Sequence, residues 1–136
     1  MQHIDPTTLF SIFDQGDEAI YEEHGEERHL DNPYVLMGMV LRGIDNYHLM
    51  DTMYLKKYPK EYTIIRKVTK YKYISRLYNY LLNIDSTNFS TDHSIGDSFN
   101  IKEVLGALNY LRIYYEQIEH YEKCATIKRY IDLLEK

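Results

Sequence analysis

The chain has no tryptophan, one cysteine, three prolines and six glycines in 136 residues. A lone cysteine, Cys124, excludes an internal disulfide and points to a reducing compartment. Nowhere do the roughly 18 apolar residues of a membrane span occur in a row. The opening "MQHIDPTTLF" lacks the basic start and apolar run of a secretory leader. A cytoplasmic location is therefore expected (host cytoplasm or virion for a phage-encoded protein), with no membrane partner. No Gly-rich phosphate loop, nucleophile elbow or zinc cluster is present. These absences argue against an enzyme and call for no cofactor and no metal. Cys124 stands one helical turn from His120, but a small residue packed inside a helical hairpin is the expected role for it.

Tyrosine, by contrast, occurs 15 times. Together with plentiful Ile, Lys and Asn it fits an AT-rich gene, as in many bacteriophages and low-GC bacteria. It also supplies large contact area at low entropic cost, as protein interfaces use it. A hydrophobic content of 44% with 27% charged residues is that of a globular chain, and the length suits one domain with a real core. The net charge of −5 hides a polarity. Residues 1–31 carry nine Asp or Glu against Arg28 as the only fixed cation, whereas 56–76 carry eight Lys or Arg against Glu61. Such segments can neutralise each other or point to different partners.

The periodicity is helical. Asp5-Pro6 is a helix start, with Leu9, Phe10 and Phe13 expected inward, and Asn32-Pro33 is a second. After it, Val35, Leu36, Met39, Val40, Ile44 and Tyr47 follow the 3.6-residue period, and Met50, Met53 and Tyr54 carry it toward Pro59. Gly43 is a possible bend. Gly38 marks either a close helix contact or a tolerated accident. "EYTIIRKVTKYKYI" is β-branched enough for a strand. Ile64, Ile65, Val68, Tyr71, Leu77, Tyr78, Leu81 and Leu82 nevertheless form a helical stripe too long for one, so 61–82 is read as helix. Residues 83–99 read as a polar loop. Asn100 with Glu103 has the spacing of a capping box, opening a helix through Val104, Leu105, Leu108, Leu111, Tyr115 and Ile118. The expected fold is all-α: an irregular bundle of about five helices in a single domain.

The last segment decides between a strut and a hairpin. An unbroken helix would continue the stripe at Glu122 and Thr126, which are polar. The apolar set resumes instead at Tyr121, Cys124, Ala125, Ile127, Ile131 and Leu134, rotated in phase. A tight turn near Glu119-His120 repairs the phase and makes residues 101–136 a helical hairpin, with small residues at 124 and 125 letting its arms approach. The pattern resembles the UVR motif, the short helical hairpin of bacterial excision-repair proteins and of regulators of Clp proteases. The matching residues are Ile118, Tyr121-Glu122, Cys124-Ala125, Ile127, Ile131 and Leu134. Lys128-Arg129 stands where that family has Arg-Asp, and His120 replaces an acidic residue. The resemblance implies a protein–protein contact, carried here by Tyr115, Ile118, Tyr121, Lys128 and Arg129.

Two other constellations carry chemistry. Glu26-x-x-His29 and Asp45-x-x-His48 have the spacing of carboxylate-bridged di-iron bundles. Glu116 and Glu119 are the only loose candidates for the further carboxylates, so surface histidines are the expected reading. The segment "KKYPKEYTIIRKVTKYKYISR" interleaves Lys56, Lys57, Lys60, Arg66, Lys67, Lys70, Lys72 and Arg76 with Tyr58, Tyr62, Tyr71 and Tyr73. That is the composition of a nucleic-acid groove. On a helix, Lys56, Lys60, Lys67 and Lys70 would form a basic face opposite Ile64, Val68 and Tyr71. The expectation is a non-enzymatic interaction protein, an assembly component or a regulator of a host complex, that self-associates or binds a protein partner. The alternative is an accessory nucleic-acid-binding protein of replication, recombination or transcription.

Overall fold

The computed structural model describes residues 5–9, 32–89 and 94–135, and among these every regular element is helical. Phe10, Phe13, most of the acidic segment, Glu26 and His29 lie outside the described residues. Asp5 caps a helical turn at 6–9 by accepting the Thr7 amide at 2.7 Å, and Leu9 is fully buried.

Helix α1 (Pro33–Lys57) starts where expected. Asn32 Oδ1 accepts the amides of Tyr34 at 2.9 Å and Val35 at 3.4 Å, and proline occupies the first turn, where no amide is needed. Its end is set by Pro59. Proline disfavours helical geometry in the residue before it, and Tyr58 leaves the helix at φ −132°, ψ 63°. Helix α2 (Pro59–Leu82) begins at once, so the ambiguous 61–82 segment is helix, not strand. Tyr62 donates to Asp51, Asn46 donates to Tyr73, and Gly43 meets Leu77. Numbers rise along α1 as they fall along α2, so the pair is an antiparallel hairpin.

The chain then turns through a 3₁₀ segment, Ser86–Asn88, started by Asp85, and a short helix α3 (Ser94–Ser98). Residues 83–99 are not simply a polar loop. Ile84, Phe89 and Ile95 are buried plugs, and the Phe89 ring lies 4.5 Å from that of Tyr130. Isolated apolar residues in a polar run carry no period, which is why such anchors escape a pattern search.

Helices α4 (Ile101–Gln117) and α5 (Tyr121–Glu135) form the expected hairpin. Asn100 Oδ1 caps α4 through the Lys102 and Glu103 amides at 3.0 and 3.4 Å. The turn is a Schellman motif. The His120 amide bonds the Tyr115 carbonyl at 2.8 Å and the Glu119 amide bonds that of Glu116 at 3.1 Å, with Glu119 left-handed at φ 63°. The apolar contact that accompanies this motif is the stack of the Tyr115 and His120 rings, 5.9 Å apart. On the inner faces, Val104, Leu108, Leu111 and Tyr115 meet Ile127, Ile131 and Leu134. Of the two small residues, Cys124 faces α4, its thiol donating to the Arg112 carbonyl at 3.4 Å, while Ala125 is exposed.

Several helical faces differ from expectation. On α1, Met37 is buried, whereas Met53 is half exposed. On α2, Tyr62, Thr69, Tyr73 and Ile74 are buried, but Ile64, Val68, Tyr71 and Leu82 face solvent. Ile65, Leu77, Tyr78 and Leu81 are buried as expected, whereas Tyr62, Thr69 and Tyr73 fill core positions in place of Ile64, Val68 and Tyr71. Gly43 is where α1 leaves room for α2: a Cβ there would collide with the Leu77 side chain. Around Gly38 a Cβ meets nothing within 4 Å, so it marks no contact.

These backbone assignments predict opposite signs in urea denaturation. Gly38→Ala should stabilise by about 0.5–1 kcal/mol through helix propensity. Gly43→Val should destabilise by about 1–3 kcal/mol through overpacking against Leu77. Glu119→Gly should stabilise by about 1 kcal/mol by relieving left-handed strain.

Candidate functional site

The helix α1 core face runs Val40, Ile44, Tyr47 and then reaches Asp51, a carboxylate at a buried position. A buried charge must be paired and hydrogen-bonded. Arg66, across the seam on α2, supplies a two-pronged pair: Nε donates to Oδ1 at 2.9 Å and Nη2 to Oδ2 at 2.8 Å. The hydroxyls of Tyr62, at 2.7 Å, and Tyr47, at 3.4 Å, also donate to Oδ1. Burial works to raise the Asp51 pKa, but the bonds from Arg66 and Tyr62 outweigh it and hold the carboxyl below its ordinary value. The Tyr47 and Tyr62 hydroxyls are pushed well up, first by burial and then by Asp51, and remain donors.

Beside this cluster opens a cleft of about 590 Å³. Tyr47, His48 and Asp51 contribute from α1, Tyr110 from α4, and Thr63, Arg66, Lys67 and Lys70 from α2. The α2 group is spaced i, i+3, i+4, i+7, which one side of a helix requires. The His48 and Tyr110 rings meet edge to face at 5.1 Å. The Lys70 ammonium lies 5.9 Å from the Tyr110 ring centroid and 5.2 Å from that of Tyr114. The Tyr110 hydroxyl is buried without a hydrogen-bond partner. Its pKa is raised, by burial and then by the charge of Asp51, so it stays a proton donor.

Of the basic segment, the cleft gathers Arg66, Lys67 and Lys70. Lys60 stands seven residues before Lys67, on the same side of the helix, while Lys72 and Arg76 fall on another side. Lys56 and Lys57 end α1, with the Lys57 ammonium over Tyr58. The expected arrangement of Lys56, Lys60, Lys67 and Lys70 opposite an inward Ile64, Val68 and Tyr71 is not found, because those three residues are 70%, 57% and 41% exposed. Tyr62 and Tyr73 are buried and offer no face for stacking on a base.

At the hairpin, Tyr115 is fully buried and Ile118 half-buried. Tyr115 is therefore a core residue rather than a contact for a partner: it packs against Tyr78 and His120 and reaches Ser75. Tyr121 is 62% exposed. Lys128 pairs with Asp132 at 3.1 Å, and Arg129 donates to Thr126. Burial, and then Glu116, push the Cys124 thiol up, which keeps it protonated. Asp45 is exposed, His48 packs on tyrosines, and Glu116 pairs with Arg112 at 3.0 Å. Among the described residues no three metal-ligating side chains converge, and no helix is long and apolar enough to cross a membrane.

Asp51, Thr63 and Tyr110 were not foreseen as site residues. Asp51 had a legible signal: it continues the core spacing of Ile44 and Tyr47, and an acid at a core position demands a cation. Comparison with known proteins found no matching family model, no similar curated protein and no similar solved structure.

Replacing Asp51 with Asn leaves Arg66 without its counter-charge. At neutral pH the variant should lose about 1–3 kcal/mol, the range for hydrogen bonds to charged groups, toward the low end because Arg66 is partly solvated. The folded-state pKa of Asp51 is depressed. Its contribution is therefore full above the unfolded value of about 3.9 and is lost as pH falls through the lower folded value. Urea melts at pH 7 and pH 3 should show the gap between wild type and Asp51→Asn narrowing at the lower pH.

Proposed function

We propose that the protein acts by binding another protein, without catalysis, as an assembly component or as a regulator of another complex. The observation that carries this reading is the outer strip of α2. Ile64, Val68 and Tyr71 stand i, i+4, i+7 along one helical face and are largely exposed. Exposed apolar residues scattered singly are ordinary, but aligned ones mark interaction surfaces. Lys60 and Lys67 flank the strip, so the partner it fits is apolar at its centre and acidic at its edge. The C-terminal hairpin supports the same class, since its spacing resembles that of the UVR motif, with Tyr121, Lys128 and Arg129 exposed.

Nucleic acid as the partner has less support. Arg66 is engaged by Asp51, and two of the four tyrosines of the basic segment lie in the core. Tight oligonucleotide binding that weakens steeply with salt would reverse this order.

Size-exclusion chromatography with light scattering tests the proposal. The wild type is expected above its 16.4 kDa monomer mass, alone or with a specific protein bound. Ile64→Glu with Val68→Glu should abolish that association and leave the helical circular dichroism unchanged, because neither residue is in the core. A wild type that stays monomeric and binds no protein, or an assembly indifferent to the two substitutions, refutes the reading.

A further inference from the structure

We propose that the cleft lined by α1, α2 and α4 binds a small phosphomonoester, its phosphate held by Lys67, Lys70 and the Tyr110 hydroxyl. The site goes beyond the partner reading and does not rest on it, since none of Ile64, Val68 and Tyr71 lines the cleft.

Three cations and one carboxylate line the cleft. Asp51 and Arg66 neutralise one another through their two-pronged pair. Lys67 and Lys70 are left, one helical turn apart, and among the described residues neither is paired with a carboxylate. Lys70 lies over the Tyr110 and Tyr114 rings, which orient its ammonium without cancelling its charge. Two adjacent uncompensated cations suit a dianion. A phosphomonoester carries about −1.5 to −2 at neutral pH, whereas a carboxylate carries a single charge.

The second observation is the Tyr110 hydroxyl, buried and without an acceptor. Buried polar groups in folded proteins are nearly always satisfied, and an unsatisfied one calls for a missing partner. Tyr110 lines the cleft, and the charge of Asp51 on the cleft wall reaches its hydroxyl. The neighbouring side chains shield the hydroxyl from water in the ligand-free fold, so a phosphate oxygen seated between Lys67 and Lys70 would supply the acceptor as those side chains give way to it.

The third is size. A volume of about 590 Å³ far exceeds a bare phosphate and falls within the range of small-molecule sites. The exposed His48 ring offers the ester's organic part an aromatic surface, with the buried Tyr47 ring packed against it.

Isothermal titration at fixed ionic strength tests the site with phenyl phosphate, benzoate and a short oligonucleotide. Phenyl phosphate should bind one per chain, and benzoate, with the same ring and half the charge, at least tenfold more weakly. Lys67→Ala should weaken phenyl phosphate roughly tenfold or more, and Lys67→Ala with Lys70→Ala should abolish binding. Tyr110→Phe separates binding from folding. It should weaken phenyl phosphate several-fold while the ligand-free melting temperature holds or rises, because the hydroxyl has no bond to lose. Absence of saturation by phenyl phosphate overturns the proposal. So do equal affinity for benzoate, indifference to the lysine substitutions, or binding of the oligonucleotide alone.

Discussion

The pairing of Asp51 with Arg66 is the interaction on which the two long helices depend. A carboxylate at a core position of α1 could not stay charged without a partner, and one that neutralised would leave the Arg66 guanidinium uncompensated. The pair fixes the register of α2 on α1 from the polar side, while the meeting of Gly43 with Leu77 fixes it from the apolar side. The same pair occupies one of the cations on the cleft wall, which leaves Lys67 and Lys70 to set the charge the cleft presents.

The second constraint is a core built largely from tyrosine. Tyr47, Tyr62, Tyr73, Tyr78, Tyr80, Tyr114 and Tyr115 are all buried. Each brings a hydroxyl that needs a partner once it leaves water. Asp51 takes two of them, Asn46 donates to Tyr73, and Ser75 meets Tyr115. Polar residues such as Asn46, Asp51 and Ser75 therefore stand near positions where an aliphatic core would carry leucine. Among the described residues, the hydroxyl of the part-buried Tyr110 is the one buried without a partner. The abundance of tyrosine thus shows first as packing and only second as exposed surface, at Tyr34, Tyr71 and Tyr121.

Local signals in the sequence settled much of the architecture. Asn32-Pro33 and Asn100 start α1 and α4 because a side-chain acceptor beside free amides acts within one turn and needs no tertiary partner. The phase break after Ile118 located the C-terminal turn, since two helices of different phase cannot share one straight axis. Even the choice of helix over strand for 61–82 followed from length. What the sequence could not settle was which face of α2 is buried. Ile64, Val68 and Tyr71 are as apolar as Tyr62, Ile65 and Tyr73, and only the register with α1 decided that the first three face solvent. The cleft was hidden for the same reason. Asp51, Arg66 and Tyr110 are far apart in the chain, and their juxtaposition follows from how α1, α2 and α4 pack. Composition and short-range spacing determined the helices, their caps and the hairpin turn, because those depend on neighbouring residues. Tertiary packing alone decided which cations are paired within the fold and which remain unpaired on the cleft wall, because pairing is a matter of distance in space.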